Sequence, residues 1–190
     1  SVPLGADGRA GTPVDLMRGM RASTPSRPMG GDEEFTFSPD GATVVFSTRM
    51  ADRTEAWSTN FDLWQVPVTG GTAVNLTAGN PAWDTQPRFL ADGRLAWLAM
   101  SRPGFEADRF RVMLREADGR VRELSPQWPL SPGTLGVSRD GRQLLLSADE
   151  RGQLALFRLD PAAGGTPQRV VAEGQVTAFD DSAQGPVVAL

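Results

Sequence analysis

Three tight-turn signatures, Asp40-Gly41, Asp92-Gly93 and Asp140-Gly141, recur along the chain at intervals of about 50 residues, each between two short apolar runs. The units around them align in full. The first reads EEFTF-SPDG-ATVVFST, a long loop, then FDLWQVPV-TGG-TAVNLT over 33–77. The second reads TQPRFL-ADG-RLAWLAM and FRVMLREA-DG-RVRELS over 85–125, and the third TLGVS-RDG-RQLLLSA and LALFRLDP-AAGG-TPQRVVA over 134–172. The runs are rich in β-branched and bulky apolar residues and too short for stable helices, so each unit predicts a four-stranded antiparallel meander. In Ser38-Pro39-Asp40-Gly41, proline presets φ, aspartate suits the next turn position, and glycine takes the left-handed conformation that follows. Four-stranded units that cannot bury their faces alone stack around an axis, which makes the fold class all-β, a partial β-propeller.

The two ends predict fragments of further units. Val2-Pro3-Leu4 and Thr12 to Leu16 repeat the pattern of Val66 to Val68 and Thr72 to Leu76, the last two strands of a blade over 1–17. Val176 to Phe179 and Pro186 to Leu190 match the first two strands of a blade over 176–190. Three complete blades with half a blade at each end fall short of the usual ring of four to eight, so open blade edges predict self-association.

Composition excludes several chemistries. The chain has no Cys, His or Tyr, and all 19 of its Lys+Arg residues are arginine. A Ser-His-Asp or Cys-His arrangement lacks its imidazole, zinc lacks its usual ligands, and Schiff-base or phosphate-loop chemistry lacks its lysine. No metal and no cofactor is expected. A net charge of -4 with dispersed arginines argues against nucleic acid and anionic membranes as partners. No apolar run approaches the roughly 20 residues that cross a bilayer.

The strings FTFSPDG-x-TVVFST, WSTNFDLWQVPVTGG, NPAWDTQPRFLADGRLAWLAM and SRPGFEADRFRVML resemble the propeller of the prolyl oligopeptidase family of serine peptidases. Within it they are most similar to the bacterial dipeptidyl peptidase and acylaminoacyl peptidase branch, and the S-P-D-G turn is shared with TolB-like propellers. The resemblance spans about Val2 to Ala172. It implies a non-catalytic propeller that gates access and helps anchor short peptides, with the parent's α/β-hydrolase domain as partner and a periplasmic or secreted location, a cytoplasmic one staying open. The alternative is a TolB-like scaffold for protein-protein interaction. These residues hold no G-x-S-x-G elbow and no catalytic residue; Ser138 in GVSRD reads as a turn residue.

In such meanders the long connections share one face, and loops on a rigid scaffold carry function. Three groups there are candidates for substrate binding. Glu33 and Glu34, beside Asp32, stand at the start of an innermost strand, where paired carboxylates can hold a peptide's α-ammonium, or where alternation points one at the channel water and the other at a neighbouring blade. Arg102 and Glu106 lie with Phe105 and Asp108 in SRPGFEADR, as a grip on a carbonyl or carboxylate or as an internal salt bridge. Trp57, with Trp83 and Trp128, lines a pocket or plugs a gap between blades. By itself this chain is expected to leave chromogenic dipeptide substrates uncleaved, and turnover that survives repurification and labels Ser138 with a fluorophosphonate contradicts that reading.

Overall fold

The computed structural model describes residues 1–171, 174–182 and 185–189. Each apolar run of the repeat becomes one strand, and each unit becomes one sheet in chain order. The first sheet is β1 (Phe35–Phe37), β2 (Thr43–Thr48), β3 (Asp62–Pro67) and β4 (Val74–Asn75). The second is β5 (Asp84–Phe89), β6 (Leu95–Ala99), β7 (Arg111–Arg115) and β8 (Val121–Glu123). The third is β9 (Pro132–Val137), β10 (Leu144–Glu150), β11 (Gln153–Leu159) and β12 (Gln168–Arg169), followed by a hairpin of β13 (Ala178–Ser182) and β14 (Gly185–Ala189). All pairings are antiparallel. The first strands meet one another, β1 against β5 and β5 against β9, which places them innermost. This is an all-β partial propeller, and a 3-10 turn at Asp32–Glu34 is its one helical element among the described residues.

The ends carry the repeat less regularly. Over 1–17 the backbone forms one isolated bridge, Leu4↔Ala10, beside hydrogen bonds from Gly11 N to Pro3 O (2.7 Å) and from Val14 N to Ser1 O (2.8 Å). Pro3 and Pro13 have no N–H to extend a ladder, so the antiparallel pairing there stays short. Leu16, Met17 and Met20 nonetheless pack on Val44, Phe46 and Val66 of the first sheet. Of the units expected over 134–172 and 176–190, Ala172, Ala183, Gln184 and Leu190 lie outside the described residues.

The core lies between sheets. Leu98, Val112 and Leu114 of the second sheet pack with Leu135, Leu144, Leu146 and Phe157 of the third, with Trp128 sealing the seam against Phe157 at 5.2 Å. Val45 and Leu63 meet Leu95, Trp97 and Ala99 across the preceding seam. Burying such side chains removes about 1.5–3 kcal/mol of apolar exposure each, which is what stacking supplies and a lone sheet lacks.

Polar groups tie the same seams. Asp84, at the start of β5, is buried; its backbone N donates to Phe61 O and its backbone O accepts from Ser47 Oγ, at 2.8 and 2.7 Å. Its carboxyl accepts from Trp97 Nε1 (2.7 Å) and Asn80 Nδ2 (2.9 Å). Burial pushes this carboxyl up to about 7 despite both donors, and neighbouring Asp62 adds to the rise. Two residues on, Gln86 sits in a bulge with φ 53, and its side chain donates to Gly133 O and accepts from Leu135 N, both at 2.8 Å. The bulge lets one side chain serve as a strand partner for β9.

The repeated turns separate local strain from seam packing. Gly41 and Gly141 share φ +69, but a Cβ at Gly41 meets nothing within 4 Å, whereas one at Gly141 lies 2.5 Å from Ala91 Cβ in the next sheet. Gly41→Ala is expected to cost about 1 kcal/mol from backbone strain alone. Gly141→Ala is expected to cost about 1–3 kcal/mol more from the clash, read from urea midpoints. Asp84 generates a pH effect. Because its folded pKa lies above the ordinary carboxylate value, its contribution is present at low pH and is lost as pH rises from about 4 through about 7. Wild type is therefore expected to lose stability relative to Asp84→Asn across that window, measured by thermal melts at stepped pH.

Candidate functional site

The meander puts the connections β2→β3, β4→β5, β6→β7 and β8→β9 on one face, with the acidic turn at its inner edge. Gly31 enters Asp32–Glu34 with extended backbone, and the turn feeds directly into β1. It separates the two glutamates. Glu34 is buried, and its carboxylate accepts from Ser26 N (2.6 Å) and Ser26 Oγ (2.5 Å). Glu33 is half-buried; its Oε1 accepts from Gly31 N (3.1 Å), and its backbone O accepts from Arg88 Nη1 (3.0 Å). Asp32 is exposed and lines a cavity of about 520 Å³ with Arg88, Thr134, Ser147 and Asp181.

Arg88 reaches across from β5. Its Nη1 also donates to Pro87 O (2.8 Å), so the guanidinium is anchored on carbonyls and forms no ion pair with Asp32 or Glu33 among the described residues. Burial pulls this guanidinium below its ordinary range, while Asp32 and Glu33 pull it back up. Two carboxylates against one cation leave the turn with surplus negative charge, suited to an ammonium group. Arg88 was not singled out in the sequence, although a charged residue within the apolar innermost run TQPRFL was a signal for it.

The other candidates lie apart. Arg102 stacks on the Phe105 ring at 4.1 Å instead of pairing with a carboxylate. Asp108 closes that loop by accepting from Ser101 N (2.8 Å), Arg102 N (2.9 Å) and Ser101 Oγ (3.1 Å). Burial disfavours its charge, but these donors together hold its carboxyl below the ordinary range. The internal salt bridge is thus replaced by carboxylate-to-amide capping. Glu106 is exposed, with no ion pair among the described residues. Trp57 is 71% exposed at the tip of 49–60, a loop joined to 101–109 by Gly104 N donating to Thr59 Oγ1 (2.9 Å).

Trp83 lies between Phe61 and Phe110, and Trp128 is buried, so both act as plugs. Ser138 is a turn residue: its hydroxyl donates to Asp140 Oδ1 (2.6 Å) and accepts from Gln143 N (2.9 Å). Among the described residues no group of three acidic, His or Cys side chains is placed to hold a metal.

No protein-family profile matches the chain. Dipeptidyl-peptidase 5 of Porphyromonas gingivalis is 28% identical over 185 residues, 96% of this chain and 27% of that protein. Dipeptidyl-peptidase 5 of Arthroderma otae is 28% identical over 172 residues, 83% of this chain and 24% of that protein. The chain thus spans about a quarter of the length of these relatives. Among solved structures, a putative TolB from Agrobacterium tumefaciens superposes with a TM-score of 0.61 at 19% identity, covering 82% of this chain and 52% of that one. Puromycin hydrolase superposes at 0.52 and 18% identity, covering 78% of this chain and 22% of that one. Sequence similarity along nearly the whole chain makes it similar to a part of the dipeptidyl-peptidase 5 proteins, and the superpositions show that its fold is that of a β-propeller segment.

Proposed function

We propose that this chain is the propeller portion of a serine-type dipeptidyl or oligopeptidase, gating access to a catalytic domain and anchoring the amino end of short peptides. The observation that carries the reading is the acidic turn at the inner edge of the long-loop face, in a chain that runs along a dipeptidyl peptidase over 96% of its length. A rigid ring of blades narrows the route to a width that extended peptides pass and folded proteins do not. At the end of that route an α-ammonium finds Glu33 and Asp32, whose charge Arg88 only partly offsets. Glu34 takes a supporting part, because its carboxylate is occupied by Ser26. Arg102, Glu106 and Trp57, on the joined outer loops, meet the rest of the peptide or the catalytic domain. Self-association through blade edges belongs to the same proposal and is read from light scattering on the eluting peak.

A TolB-like interaction scaffold is the second reading, favoured by the TM-score of 0.61. The long 49–60 and 101–109 loops separate the two, since a scaffold repeat has no need of them.

In the full-length parent, Glu33→Gln is expected to lower kcat/KM for substrates with a free amino terminus by a factor equivalent to about 2–5 kcal/mol, and for acyl-blocked substrates far less. Glu34→Gln, which loosens the 26–31 loop, is expected to lower both together. Equal losses on free and blocked substrates in Glu33→Gln rule out the anchor.

A further inference from the structure

The segment that presents the acidic turn has a basic side. Arg21, Ser23, Ser26, Arg27, Arg49 and Phe61 surround a cavity of about 270 Å³ on the long-loop face. Arg49 is fixed there, donating from Nη1 to Ser58 O (3.0 Å) and lying over the Phe61 ring at 5.2 Å. Arg21 and Arg27 converge on the same space, and neither has an ion pair within 4.0 Å among the described residues. The nearby carboxylates do not fill that role. Glu34 is occupied by Ser26, and Asp52 by the amide and hydroxyl of Thr54 at 2.7 and 2.6 Å with Arg21 only at longer range. Glu55, the one carboxylate in the wall, stands 3.9 Å from Arg49, beyond hydrogen-bond reach.

We infer that this cavity binds a small carboxylate carried by a peptide. Guanidinium groups present planar forks that match a carboxylate, and two of the three here have no ion pair within 4.0 Å among the described residues. The volume lies near the lower end of ligand sites, which fits a carboxylate and a short stem and is too small for a nucleotide. Phe61, Ala22 and Ala51 supply the apolar wall that such a stem packs on. The carboxylate has two sources, the peptide's own C-terminus or an acidic side chain. Ser26 links the cavity to the acidic turn: it lines the basic wall while its N–H and hydroxyl hold Glu34, so the two charged sites share one loop.

Isothermal titration of the 190-residue chain with N-acetylated tetra-alanine tests this, because acetylation removes the α-ammonium and makes the result independent of the amine anchor. Three forms of the peptide are compared: free C-terminus, C-terminal amide, and amide with one alanine replaced by glutamate. Saturable binding by the first identifies a C-terminal carboxylate, and by the third an acidic side chain; the plain amide is expected not to bind. The Arg21→Gln/Arg27→Gln double variant is expected to weaken whichever binds by about tenfold or more. Glu55→Gln, which removes the competing charge, is expected to strengthen it. A circular dichroism melt of each variant separates lost binding from lost fold. No saturable binding by either carboxylate peptide, or equal affinity in wild type and the folded double variant, overturns the inference.

Discussion

Five consecutive residues, Asp84 to Arg88, hold the described structure together. Asp84 gathers a carbonyl, a hydroxyl, an indole and a carboxamide around one buried residue between the first two sheets. Gln86 replaces a strand ladder between β5 and β9 with a single side chain. Arg88 reaches back to the turn before β1. Apolar stacking makes neighbouring sheets adhere, but it is non-directional and leaves their angle loosely set. Hydrogen bonds at fixed points of the innermost strand supply the missing direction, and an unpaired donor or acceptor at those buried positions is costly enough to enforce it.

The same strand therefore sets the acidic turn. Arg88 donates to the carbonyl of Glu33 and feels the charges of Asp32 and Glu33 at longer range, so the turn's position follows the neighbouring sheet and not only its own local sequence. Ser26 fixes it from the other side through Glu34. Of three adjacent acidic residues, Glu34 is held by Ser26, Glu33 accepts from the Gly31 amide, and Asp32 is exposed at the edge of a cavity. That division of labour fixes a run of like charges, which repel and would otherwise spread, at the head of β1.

Strand order and turns were legible in the sequence because their cause is local: only glycine takes the left-handed positions easily, and the repeat prints that requirement three times. Ser138 was legible for the same reason. The fate of the glutamates was not, since alternation along a strand predicts one inward and one outward side chain, and Glu33 and Glu34 lie in a 3-10 turn where that period fails. The 1–17 segment follows the repeat less regularly, pairing through one isolated bridge and a few backbone hydrogen bonds. Its apolar residues copy the outer strands of a blade, and Pro3 and Pro13 remove donors that would lengthen the pairing. In the 101–109 loop the charges suggested an ion pair, and the structure used Asp108 on backbone amides, a choice set by loop geometry that opposite charges in sequence do not reveal. Arg88 escaped because its partner is 55 residues away in sequence.

The use of arginine for every basic side chain acquires a structural meaning from side-chain contacts to the backbone. Arg49 donates to Ser58 O, Arg88 to Glu33 O, Arg109 to Trp128 O, Arg111 to Met100 O and Arg122 to Pro161 O, at 3.0, 3.0, 3.1, 3.0 and 2.6 Å. Each acceptor is a backbone carbonyl in or beside a connection between strands, a place where the ladder no longer satisfies it. A guanidinium offers five donors in a fixed plane, so it can hold such a carbonyl and still face a carboxylate, as Arg122 does with Glu116 at 2.9 Å. An ammonium on a flexible stem holds either partner with less geometric definition and at greater cost in conformational freedom per bond formed. Loops clamped in this way keep their shape without being packed in a core. That is the condition for a face made of long connections to present charges at fixed positions to a ligand, instead of reorganising each time one arrives.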